Sequence, residues 1–233
     1  MTEKTIPPEL PVRDAATIIL SREGNHGPEV LMGQRGAAAA FMPNKFVFPG
    51  GAVDPSDGAA PMLRPLPDPC ARRLEDHLRI EGIPHPAQTF AATAIRELWE
   101  ETGLALGGPG VWSTPPAPDW QAIAARGLVP NAGPLRFVFR AITPPGRPRR
   151  FDARFFMADA SAINGDPEDF GAAQDELSHL QWIPLSRARS FDLPFITEVV
   201  LAEIARLIGN DSPPDSVPFF DNSTTTPMFR RLI

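Results

Sequence analysis

Apolar positions along the chain fall into short runs with two different spacings, broken by Pro- and Gly-rich stretches. "RDAATIIL" (13–20) and "PEVLMGQR" (28–35) are apolar runs separated by "SREGNHG", whose Gly and Asn suit a turn, so they predict a β-hairpin. "KFVFPGG" (45–51) predicts a short strand stopped at Pro-Gly-Gly, and "AVDPSDGAAPMLRPLPD" after it reads as loop. "PCARRLEDHLRIEG" (69–82) has helical spacing, with Leu74 and Leu78 one turn apart and Gly82 as a stop. Residues 88–102 predict the best helix: Ala91, Ala94, Ile95 and Leu98 recur at the helical period, and Gly103 is placed to cap it. "GGPGVWSTPPAPD" then reads as loop and "WQAIAARG" as a short helix. "LRFVFRAIT" (135–143), "FDARFFMAD" (151–159) and "LSHLQWIPL" (177–185) predict strands, and "PFITEVVLAEIARLIG" (194–209) an amphipathic helix ended by glycine. Strands and helices mix without strict alternation, which predicts an α/β fold with a mixed β-sheet between helices. One domain over 10–208 accounts for these elements. Residues 209–233, rich in Pro, Ser and Thr, read as a C-terminal tail that could reach a second subunit and so support a homodimer.

Composition narrows the function. At 233 residues and 42% hydrophobic content the chain can build a normal core. A net charge of −6 argues against a general nucleic-acid binder. Cys70 is the single cysteine, so no internal disulfide can form and a reducing compartment fits best. The first ten residues lack the pattern of a signal peptide and no apolar run would span a bilayer, so the expected location is cytoplasmic, with no membrane partner.

The helix at 88–102 carries a conflict. Glu97, Glu100 and Glu101 sit at i, i+3 and i+4, so their carboxylates share one face. Glu100 and Glu101 also lie in the last turn, where the helix dipole disfavours negative charge by roughly 0.3–1 kcal/mol each. A divalent cation would offset both penalties, and Mg²⁺ favours carboxylates combined with waters and substrate phosphates. A solvated acidic face is the competing explanation, and the glutamate pattern alone leaves both open.

"PGG" (49–51) followed by "RELWEETGL" (96–104) resembles the Nudix box, G-x5-E-x7-R-E-U-x-E-E-x-G-U with U aliphatic. Arg96, Glu97, Leu98, Glu100, Glu101, Gly103 and Leu104 fill its second half. The first half departs: counting from Gly51 reaches Asp57 and counting back from Arg96 reaches Gln88, so 58–87 reads as an insertion inside the box. "AFMPNKFVFPGG" (40–51), "IRELWEETG" (95–103) and "RRFDARFF" (149–156) resemble, in order, motifs of the coenzyme-A diphosphatase branch of the family that works in peroxisomes. The resemblance implies an α/β/α sandwich and hydrolysis of a nucleoside diphosphate-linked small molecule, with coenzyme A or acyl-CoA first. A nucleotide-sugar or dinucleotide diphosphatase, and a non-catalytic nucleotide-sensing module, are the alternatives.

The same resemblance implies site roles. Glu97, Glu100, Glu101 and the Gly51 carbonyl would hold Mg²⁺ or Mn²⁺, and Arg96 would orient a glutamate. Glu101 is one candidate base; Asp175 and Glu176, before a strand, offer further acids, with Glu176 preferred. Independently of the resemblance, the arginine fork suits phosphate, which makes Arg35, Arg149 and Arg150 candidates for binding it, Arg35 and Arg150 foremost, with Gly51 beside them; surface solubility is the competing explanation. Arg150, Asp152 and Arg154 alternate with Phe151 and Phe155, predicting an open charged face on that strand. The histidines lack metal-ligand spacing, and Trp99 and Trp182 read as packing residues.

Overall fold

The computed structural model describes residues 10–79, 82–210 and 212–233. Strands β1 (Val12–Gly24) and β2 (Gly27–Arg35) form the expected hairpin. The single strand expected at 45–51 is two, β3 (Phe46–Val47) on β2 and β4 (Gly50–Ala52) on β1. Pro49 marks the step between them: it has no N–H to donate, and its carbonyl accepts from Ile18 N at 2.9 Å. Helix α1 (Asp68–Asp76) ends before the expected stop at Gly82, and residues 80 and 81 of that expected helix lie outside the described residues. Helix α2 (Pro86–Thr102) matches the periodicity and closes on Gly103 at φ +75°, whose N–H donates to Trp99 O at 2.8 Å.

The stretch read as loop after α2 contains β5 (Gly107–Pro109), which pairs past α3 (Gln121–Ala125) with β6 (Leu128–Pro130) in a small separate sheet. The chain continues through β7 (Arg136–Ile142), β8 (Arg150–Asp159), β9 (Leu177–Pro184), α4 (Leu185–Ala188) and α5 (Phe195–Ile204). It ends with β10 (Val217–Asp221) and β11 (Met228–Leu232).

Among the described residues the main sheet has nine strands in the order β11-β10-β7-β8-β1-β2-β3, with β4 on β1 and β9 on β2. It is mixed: β1 runs parallel to β8 and β10 parallel to β7, while the other pairs are antiparallel. Its one face packs on α1 and α2 through Ile18, Leu31, Phe90, Ile95 and Phe137; the other meets α5 through Ile19, Val138, Val200 and Ile204. The result is the expected α/β/α sandwich. No helix among the described residues is long and apolar enough to cross a membrane.

Two expectations are corrected. The segment read as tail supplies β10 and β11 to this chain's own sheet, with Val217 and Phe219 buried in the α2-side core. Flanking prolines and serines masked a short strand with apolar inward positions. The charged face expected on β8 is also closed rather than open. Arg150, Asp152 and Arg154 are all buried, and Asp152 accepts from Arg140 Nε at 2.8 Å and Nη2 at 2.7 Å. Arg154 lies 4.0 Å from the centre of the Phe90 ring. Burial opposes the Asp152 charge, but its hydrogen bonds from Arg140 and the charges of Arg154 and Arg79 hold the carboxyl below its usual range.

Candidate active site

Two glycines bring backbone against the acidic side of α2. Gly50 N donates to Glu101 Oε2 at 2.8 Å. A Cβ on Gly51 would lie 2.4 Å from Glu97 Oε1, so only glycine lets β4 approach this closely. Pro49-Gly50-Gly51 therefore sets the distance between strand and helix, and the carboxylates fill the gap.

Arg96 organises those carboxylates. Its Nη1 donates to Glu97 Oε1 and to Glu100 Oε2, each at 2.8 Å. Its Nε donates to Asp57 Oδ1 at 2.9 Å, and Nη2 to Asp57 Oδ2 at 3.1 Å and to Ala52 O at 3.0 Å. All five guanidinium donors are thereby used. Burial works against the Arg96 charge, yet the Asp57 hydrogen bonds and the surrounding acids hold it firmly protonated.

Asp57, which sequence counting treats as a departure from the box, sits at the centre of this network. It is fully buried and also accepts from Thr93 Oγ1 at 2.7 Å and Asp54 N at 2.9 Å. Gln88, reached by counting from the other end, donates through Nε2 to Ala60 O at 2.7 Å. Both residues clasp the loop to α2, at opposite ends of the 58–87 segment. The spacing from Gly51 was the available signal for Asp57; the carboxyl was present, one methylene shorter than the pattern requires.

A solvated acidic face is excluded, because the glutamate side of α2 is largely enclosed. Burial pushes Glu97 up to about 7 against the pull of Arg96, and raises Glu100 as well. Glu101 is 1% exposed, and burial together with the Glu97 charge lifts it well above the carboxylate range. Its Oε1 is buried and has no hydrogen-bond partner among the described residues. Leaving such an oxygen unsatisfied costs on the order of 1–3 kcal/mol, more for a charged group.

The structure brings Glu176 to this group: its charge acts on both Glu97 and Glu101. The loop carrying it is fastened to the end of α2 by Gln174 N, which donates to Glu100 O at 2.8 Å. Arg35 Nη2 donates to Glu176 Oε1 at 2.9 Å, while Arg35 Nε is buried without a partner among the described residues. Arg150 is not part of the site. Its guanidinium donates to Thr143 O at 3.0 Å and Asn222 O at 3.2 Å, joining β8 to the end of β10, because its position on the strand points it into the closed core. Asp175 is exposed beside Glu176.

The donors are all oxygen, which suits a hard divalent cation. Arg96 takes one oxygen each of Glu97 and Glu100, so their second oxygens and Glu101 Oε1 carry no hydrogen bond among the described residues. Among the described residues no three His, Cys, Asp or Glu side chains already surround one point. Arg96 holds Glu97 and Glu100 with their second oxygens in reserve, and the unsatisfied buried oxygen of Glu101 fits a cation.

No family model matches the sequence. The chain is similar to nudix hydrolase 7 of Caenorhabditis elegans, 29% identical over 183 residues, 73% of this chain and 51% of that protein. It is similar to an acyl-coenzyme A diphosphatase of Gallus gallus, 33% identical over 125 residues, 42% of this chain and 33% of that protein. The chain thus spans about half the length of the first curated relative and a third of the second. Among solved structures it is similar to a nudix hydrolase from Alicyclobacillus acidocaldarius, 34% identical, covering 82% of this chain and 90% of that one, with a TM-score of 0.58.

Proposed function

The chain belongs to the Nudix hydrolase family, and from that premise we propose that it is a metal-dependent hydrolase of a diphosphate bond in a nucleoside diphosphate-linked small molecule, coenzyme A or an acyl-CoA first. Nudix hydrolases generally use divalent metal ions. The observation that carries the reading is Glu101 Oε1, a buried carboxylate oxygen with no partner among the described residues, on a side chain that the Gly50 N–H holds by Oε2. Partial similarity to an acyl-coenzyme A diphosphatase supports the substrate class.

Glu97, Glu100 and Glu101, with the Gly51 backbone alongside, are the residues that would hold Mg²⁺ or Mn²⁺; bound there, the ion would neutralise diphosphate charge and acidify the attacking water. Arg96 fixes Glu97 and Glu100 by their inner oxygens, so the pair reaches the reaction already oriented. Gly50 N–H holds Glu101 through Oε2 and leaves Oε1 without a hydrogen bond among the described residues. Glu176, on the exposed side of the group, takes the proton of the attacking water. Arg35 positions Glu176 and presents its remaining donors to phosphate oxygens.

The test is turnover of CoA, ADP-ribose and NADH with Mg²⁺ or Mn²⁺, by the wild type and by Glu100→Gln/Glu101→Gln. Loss of turnover in the double variant is expected, and retained turnover would overturn the site. Wild-type activity on ADP-ribose or NADH but not CoA would move the substrate to the nucleotide-sugar or dinucleotide class. Binding without turnover of any of them would leave a sensing module.

A further inference from the structure

The acidic centre has a second flank, across Glu100 from Glu97. Successive helical residues are about 100° apart, so Trp99 projects from α2 to the other side of Glu100 and Arg96. The short turn before α3 approaches from this side: after burial, the charge of Asp119 is among those that raise Glu100. Arg126, immediately past α3, sits with its guanidinium carbon 5.1 Å from the centre of the Trp99 ring.

This arginine differs from the others near the site. Arg96 is spent on Asp57, Glu97 and Glu100, and Arg35 is paired with Glu176. Arg126 is exposed, and no carboxylate lies within ion-pairing distance of it among the described residues. In a chain of net charge −6, an unpaired cation held against an aromatic ring beside the acidic centre is poorly explained by solubility. Contact with an indole face restricts the guanidinium while leaving its N–H edge free, which prepares it for the oxygens of a phosphate.

We propose that Arg126, held on Trp99, binds a phosphate monoester of the substrate remote from the scissile diphosphate, such as the 3′-phosphate of a coenzyme-A-type nucleotide. The inference rests on the proposed function for where the diphosphate lies, and gives that site a reason to prefer a nucleotide phosphorylated on its ribose. Arg126 touches no reacting atom, so its contribution falls on binding.

The experiment compares the affinities of the intact protein for adenosine 3′,5′-bisphosphate and adenosine 5′-monophosphate by calorimetry, in the wild type, Arg126→Ala and Arg126→Lys. One charge-assisted phosphate contact is expected to favour the bisphosphate by about tenfold in the wild type. Arg126→Ala brings the ratio near one, and Arg126→Lys, which keeps the charge but loses the planar fork, retains part of it. No preference in the wild type, or an unchanged preference in Arg126→Ala, overturns the proposal. CoA turnover is measured separately. Failure of the enzyme on CoA with the bisphosphate preference intact would remove the substrate reading and leave this subsite standing.

Discussion

Asp57 offers the sharpest test of how the site is held together. The perturbation is Asp57→Ala, which removes a carboxylate that receives two hydrogen bonds from Arg96, one from Thr93 and one from Asp54 N. Breaking a buried ion pair by deleting one partner costs about 3–5 kcal/mol, because the other charge stays buried. Arg96 keeps Glu97, Glu100 and Ala52 O, so the lower end applies, about 3 kcal/mol. For a domain of this length that lowers Tm by roughly 6–12 °C. Asp57→Asn recovers little, since its amide would turn donors toward a guanidinium. Asp57→Glu keeps the carboxylate but must fit one more methylene where nothing is exposed, an overpacking cost of roughly 1–3 kcal/mol. Urea unfolding in EDTA reads these differences free of metal, and a divalent-cation titration then reads the site. In Asp57→Ala the freed guanidinium can turn fully onto Glu97 and Glu100, so weaker metal binding should accompany the lost stability. A variant within 1 kcal/mol of the wild type, with the same metal affinity, would refute this account of Arg96.

Further outcomes follow from the same geometry. The metal-free protein should lose stability as the pH rises from 4.5, the ordinary value of Glu97, through its folded value of about 7. The fold binds that proton more tightly than the unfolded chain does, so the contribution is complete below 4.5 and gone above about 7, at most about 3 kcal/mol. Glu97→Gln should reduce the pH dependence of urea midpoints, with the raised Glu100 and Glu101 keeping the rest, and Mg²⁺ should restore stability at high pH; a flat wild-type profile would sink the burial of Glu97. Gly51→Ala should abolish turnover and the stabilising effect of Mg²⁺, because its methyl group collides with the Glu97 carboxylate; unchanged thermal response to Mg²⁺ would contradict it. Cys70 is wholly buried, and burial raises its thiol, so labelling by a thiol reagent should proceed only at the rate of global opening. Fast labelling under native conditions would mean that the 58–87 segment is loosely attached.

Much of the architecture was visible in periodicity. The hairpin, α2 and its Gly103 cap follow from local rules that packing did not override; the mixture of elements indicated a mixed sheet between helices, and the resemblance to the Nudix box indicated the α/β/α sandwich. β10 was hidden because a run as short as "VPFFD" between prolines and serines has too few residues to show alternation. β5 and β6 were hidden for a similar reason, being glycine- and proline-containing segments that pair only with each other. The acids of the site were legible as a group, since their helical spacing conflicts with their own repulsion. Their enclosure was not, because apolar residues at 91, 94, 95 and 98 reveal one buried side of α2 and give no hint that loops cover the other. Arg150 shows the converse error. Alternation correctly put it on the same side of β8 as Asp152 and Arg154, but period alone cannot say which side faces solvent.

The 58–87 segment departs and returns at nearly one point: Gly58 lies against both Thr89 Oγ1 and the Pro84 carbonyl. Beyond Ala60, whose carbonyl Gln88 holds, a stretch anchored this way can be lengthened, shortened or exchanged with little effect on the clasp of Asp57 and Gln88. The limit is set elsewhere, since Leu66, Cys70 and Leu74 roof part of the main core, and Arg73 reaches the carbonyls of Pro214 and Asp215 at 2.6 Å. Any replacement cassette would need to carry its own greasy underside.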